Sequence, residues 1–375
     1  MNRREFSTLM AGVAADALLP RVASAWQATT DTSISPAAAA LYKRALILDC
    51  NCGPAGVNGE LSISQSFLAM NRECGVSVIK LSMAGINADF AATVDEIAYF
   101  QRIIEIYPAY FMQVRVPADL QKAKSDGKMG IIFSFESAEM FEGKVDRIEL
   151  FRNLGVRVMQ LSYNRKSPFG AGVMEPTGGG ITPLGREAVA KMNTQGVAID
   201  VSHANPQTTA DAIALSSKPV LMTHAGCASV HPHPRNKTDE QMRALAAKGG
   251  VMGIYDLPYL AASPKQPTTD DYMAHMEHAL KVMGEDHVGV GSDASIEPFD
   301  TSAKGMEEFN KSEMKRQKAG LAAPEEDRPT YVQGLNNPRR MEVIANQLLK
   351  RGYSERITEK IMGENFARVL REIWA

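Results

Sequence analysis

Eight short apolar, β-branched runs recur along the chain, at residues 45–49, 76–81, 130–135, 157–162, 197–202, 219–223, 250–255 and 287–292. Each is followed by a segment with helical periodicity, so the pattern predicts eight βα units. Runs that are apolar throughout suit a parallel sheet buried on both faces, and the spacing leaves room for helical crossovers. The predicted fold is an α/β (β/α)8 TIM barrel in a single domain spanning 31–375. The Gly/Pro-rich stretch 168–183 and the polar stretch 297–329 read as long loops that shape an entrance. Residues 338–349 and 355–374 read as two closing helices.

Catalytic groups of such a barrel sit at the C-terminal ends of its strands. Four charged residues fall there: Glu136 closes GIIFSFE, His203 closes VAIDVSH, His224 closes PVLMTH and Asp293 closes HVGVGSD. A carboxylate or imidazole is expensive to bury at a strand end unless a metal or partner compensates it, so the recurrence predicts a metal-dependent hydrolase. Glu136, His203 and His224 make a Glu/His2 set, the composition of catalytic zinc sites that keep a fourth position open. Asp293 is then the candidate general base.

Composition narrows the partners. With 41 Lys and Arg against 43 Asp and Glu the formal net charge is -2, which leaves no electrostatic footprint for nucleic acid. A small molecule is the expected partner, and no segment approaches the apolar length of an integral membrane span. Cys50, Cys52, Cys74 and Cys227 lack C-x-x-C spacing and are too few for a disulfide scaffold. His231 and His233 each precede a proline and read as loop structure, while His275, His278 and His287 read as surface or capping residues. Residues 1–30 carry Arg3-Arg4, a mildly apolar stretch and Ala23-Ser24-Ala25, which together resemble a twin-arginine export signal and predict a periplasmic protein. Association into a homo-oligomer is compatible with this composition.

From about Ala45 to the C-terminus the chain resembles the membrane (renal) dipeptidase family of zinc-dependent barrels. The stretches that carry the resemblance are ITPLGREAVAKMNTQGVAIDVSH, KPVLMTHAG, HPHPRNKTDEQM, KGGVMGI, VGVGSD and RGYSERITEKIMGENFARVL. The resemblance implies a bridging carboxylate at Glu136, zinc-binding histidines at His203 and His224, and a strand-eight metal ligand at Asp293. It also implies an arginine at Arg235 that receives a peptide's C-terminal carboxylate, and substrates that include D-residues, as in cell-wall fragments. Two departures stand out. Where the family has His-x-Asp at the end of strand one this chain has Asn51-Cys52-Gly53, and where it has a substrate-touching histidine on strand four this chain has Tyr163. The expectation is therefore one zinc ion, the alternative being a second ion held by Cys50 or Cys52 as a soft replacement ligand. The expected activity is dipeptide hydrolysis. The alternative is a degenerate relative without turnover, serving as a binding protein or a tailoring factor.

Overall fold

A computed structural model describes residues 33–85 and 88–375. The proposed export signal lies outside these residues. Eight parallel strands follow one another around a barrel in chain order: β1 (Leu48–Asp49), β2 (Val78–Met83), β3 (Met129–Phe135), β4 (Val156–Gln160), β5 (Ala198–Asp200), β6 (Leu221–Cys227), β7 (Val251–Ile254) and β8 (Val288–Val290). The Cys50 amide donates to the Val290 carbonyl at 2.9 Å and joins β8 back to β1. Each of the eight predicted runs overlaps one of these strands. The sequence pattern did not pick out a further short strand, Phe111–Gln113, which pairs with β3.

Strand alternation sorts the interior into layers. Leu48, Val78, Ile132, Val158, Ala198, Leu221 and Val251 form an apolar layer inside the barrel, closed from below by Phe366, Val369, Leu370 and Ile373 of the C-terminal helix Asn365–Trp374. One pleat further toward the C-terminal ends, Lys80, Ser134, Gln160 and Asp200 replace the apolar side chains, and all four are fully buried. The opposite strand faces pack under the helices in the larger cluster, which includes Ile79, Phe133, Met159, Ile199, Met222 and Val290.

Local signals start the helices where the barrel needs them. Thr182 and Asn205 cap the helices Pro183–Gln195 and Pro206–Leu215 through their side-chain oxygens, each with proline in the first turn, where its missing N–H costs nothing. The stretch 297–329 differs from the expected loop: it contains a 16-residue helix, Ala303–Lys318, capped by Ser302. Its only buried residue is Gly305 and its composition is strongly polar, so in sequence it reads as a loop. His275 also departs from its surface expectation. It is buried, accepts from the Cys227 amide at Nδ1 (2.8 Å) and faces the Leu260 carbonyl at Nε2 (3.1 Å).

Candidate metal centre

At the C-terminal mouth, β3, β5 and β6 deliver Glu136, His203 and His224 to one point, with one donor atom from each within 4.8 Å of the others. His203 Nε2 lies 3.0 Å from His224 Nε2 and 3.8 Å from Glu136 Oε2. Zinc bonds of about 2.0–2.1 Å place tetrahedral donors roughly 3.3 Å apart, so the spacing fits that ion.

The far ring nitrogens fix the tautomers. Asn164 Nδ2 donates to the Leu321 carbonyl at 3.0 Å, which turns Asn164 Oδ1 toward His203 Nδ1 at 2.8 Å and makes that nitrogen the donor. Thr223 Oγ1 donates to Asp200 Oδ2 at 2.6 Å, so at 2.9 Å it accepts from His224 Nδ1. Both Nε2 lone pairs then face each other, an arrangement that only a cation between them satisfies. Burial, followed by the Arg235 charge, holds both imidazoles well below the usual histidine range, so they are neutral and ready to coordinate. Asp200 ties the support together: its carboxylate also accepts from Gln160 Nε2 (3.0 Å), Ser202 Oγ (2.5 Å) and the Thr223 amide (3.1 Å). Sequence reasoning missed Asp200, Thr223 and Asn164, although the aspartate three residues before His203 was a visible signal.

Asp293 stands apart from the three donors. It follows β8 in a left-handed conformation (φ 56°), which a short polar side chain tolerates better than most, and its Oδ1 accepts from Asn51 Nδ2 at 2.7 Å. Burial, then the neighbouring Glu136 charge, pushes its carboxyl up to about 7. Gly53 contributes only backbone here, its carbonyl accepting from Ile296 N at 2.8 Å. Cys50 packs in the apolar barrel layer and Cys52 in the outer core, and burial raises both thiols well above their usual range. Neither joins the donor group.

The centre opens into a cavity of about 290 Å³ lined by Glu136, Tyr163, His203, Arg235, Asp256 and Asp293, among others. Tyr163 stacks on the His203 ring, centroids 4.0 Å apart and planes 24° apart. Arg235 is buried; its Nη1 donates to the Ser202 carbonyl, and its Nη2 has no partner among the described residues. That free nitrogen is a ready donor for an anionic ligand group. The helix Ala303–Lys318 roofs the cavity through Arg316, which grips Glu326 with both Nε (2.8 Å) and Nη2 (2.9 Å). His231 and His233 remain loop residues: His231 Nε2 meets Glu325 at 3.2 Å and His233 Nε2 meets the Pro324 carbonyl at 2.7 Å.

A parallel barrel carrying a Glu/His2 donor set at its C-terminal mouth defines the class of metal-dependent barrel hydrolases. Comparison with known proteins narrows this. The family model described as membrane dipeptidase (Peptidase family M19) matches residues 63–315, and the chain belongs to that family. It is 28% identical over 310 residues to dipeptidase tcpJ of Claviceps purpurea, a match covering 82% of this chain and 66% of that protein. An amidohydrolase structure from Pseudomonas aeruginosa superposes with a TM-score of 0.78 at 30% identity, covering 90% of this chain and 99% of the other. A metallopeptidase from Rhodobacter sphaeroides, solved with a phosphinate mimic of L-Ala-D-Ala, shares the fold at a TM-score of 0.69 and 22% identity, over 88% and 99% of the two chains. No helix among the described residues is long and apolar enough to cross a membrane.

Proposed function

We propose that this chain is a zinc-dependent dipeptidase with a single-ion centre, which cleaves the amide of short peptides ending in a free carboxylate and works in the periplasm after twin-arginine export. The observation that carries the reading is the pair of histidine Nε2 lone pairs facing each other beside Glu136. The family and the dipeptidase name of tcpJ point the same way.

His203, His224 and Glu136 would hold the ion. The chemistry such a centre supplies is Lewis-acid polarisation of a carbonyl and a lowered pKa for water. Arg235 presents its unpartnered Nη2 to the substrate's C-terminal carboxylate. Asp293, held by Asn51 at the cavity edge, takes the proton of the attacking water and passes it to the leaving amine. Tyr163 walls the substrate space where it covers His203. An intact donor triad with fixed tautomers favours an enzyme over a binding-only relative.

The test is a panel of L,L and L,D dipeptides, free and C-terminally amidated, assayed on zinc-loaded protein with and without Arg235→Lys. Free dipeptides should be cleaved. Arg235→Lys should raise KM at least about tenfold on free dipeptides and barely change the amidated ones, because a lysine lacks the planar fork. Zinc-loaded wild type that cleaves none of them sinks the dipeptidase reading.

A further inference from the structure

Glu136 divides its two carboxylate oxygens between two directions. Oε2 faces His203, whereas Oε1 is buried, has no hydrogen-bond partner among the described residues, and faces Lys80 Nζ at 3.8 Å. Lys80 is fully buried inside the barrel on β2, the strand beside β1, and its Nζ also lacks a hydrogen-bond partner there; its other close charge is Asp200 Oδ2 at 4.0 Å. A buried ammonium is tolerated only against compensating negative charge, and two carboxylates supply it here.

A second metal ion does not fit this site. Of the residues at the end of β1, the Asn51 amide nitrogen is spent on Asp293, Gly53 has no side chain, and Cys50 and Cys52 lie in apolar clusters. Asp49 keeps one unpartnered oxygen, Oδ2, but the Ser292 and Asn51 amides hold its carboxylate on the strand face opposite Cys50, away from the barrel interior. A divalent ion against Glu136 Oε1 would moreover sit beside the Lys80 ammonium, two like charges in contact in a water-poor interior.

We propose that the Lys80 ammonium stands in for a second cation, neutralising the outer oxygen of Glu136, keeping that carboxylate aimed at the histidines and excluding another ion. Lys80 is thus a positioning residue for a mononuclear centre, and the loss of metal donors on β1 and the lysine on β2 are two halves of one exchange. This rests on the single-ion reading above.

The experiment measures zinc per folded chain, by elemental analysis after loading and desalting, in wild type, Asn51→His/Gly53→Asp, and the same pair combined with Lys80→Met. Wild type and the β1 double variant should each hold one ion, because the lysine still blocks the second position. Removing the lysine in the combined variant should let a second ion in. Two ions in the double variant, or one in a folded combined variant, overturns the role of Lys80 while leaving the dipeptidase reading intact. No zinc in wild type overturns both. Should the combined variant fail to fold, an anomalous-scattering map of zinc-loaded wild-type crystals decides the matter. One zinc peak, with Lys80 Nζ still against Glu136, is the expected result; two peaks, or a lysine turned away, overturns it.

Discussion

Replacing Thr223 with valine tests whether the histidines are held ready by their outer partners. The hydroxyl is wedged between Asp200 Oδ2 at 2.6 Å and His224 Nδ1 at 2.9 Å, inside a fully buried site. Valine keeps the shape and removes both bonds. Asp200 retains Gln160 and Ser202, but the His224 Nδ1–H is left buried and unpaired, at a cost of about 1–3 kcal/mol. The ring can relieve that cost by moving its proton to Nε2, the atom that must coordinate. Loss of such an outer partner lowers metal affinity about 10–100-fold, or roughly 1.4–2.7 kcal/mol. Competition with a chromophoric zinc chelator reads this directly, and the gap in Tm between zinc-loaded and stripped protein should shrink with it. Thr223→Ser keeps the oxygen and should bind close to wild type. A folded valine variant with wild-type zinc affinity would refute the tautomer argument.

Three other outcomes follow from the site and the chain. His224→Ala should lose zinc and hydrolysis together, whereas Asp293→Asn should keep the metal and lower kcat by about 10²–10⁴, the usual worth of a general base; equal zinc loss in both would place Asp293 among the ligands. Asp256 is buried with neither carboxylate oxygen hydrogen-bonded, 3.7 Å from Arg340 Nε, and burial pushes its carboxyl up to about 8. The folded form thus binds this proton more tightly than the unfolded one, so its contribution to stability falls as pH rises from about 4 to about 8. In urea titrations across that range, Asp256→Asn should gain stability relative to wild type with increasing pH, and a pH-independent difference would count against the buried acid. Replacing Arg3 and Arg4 with lysine should strand precursor in the cytoplasm, as read by fractionation, because the twin arginines form a receptor-read address.

The barrel was legible because strands buried on both faces become apolar runs, and because expensive groups at their ends had nowhere cheap to go. The helix Ala303–Lys318 was not, since it is strongly polar and buries almost nothing where it lies over the cavity mouth. Strand one shows another limit. Its letters do not say which side faces inward: Cys50 faces the barrel interior, while Asp49 accepts from the Ser292 and Asn51 amides at 2.8 and 3.2 Å. Two residues of regular strand are too few to fix the facing of the turn that follows. Lys80 was hidden for a different reason. One lysine in VIKLSM looks like a blemish in an apolar run, and only closure of the barrel reveals the two carboxylates that accommodate it.

The plug beneath the barrel has a consequence for biosynthesis. Phe366, Val369, Leu370 and Ile373 close the apolar layer, and they follow all eight barrel strands in the chain, so they are synthesised after them. Until they arrive, the lower ends of the strands expose the hydrophobic floor, so the fold is completed by the helix Asn365–Trp374, which comes after the last strand, rather than strand by strand. Deleting the helix Asn365–Trp374 therefore does more than shorten the chain. It uncorks the barrel from the side opposite the metal centre, and such a truncation should aggregate even though every catalytic candidate is still present.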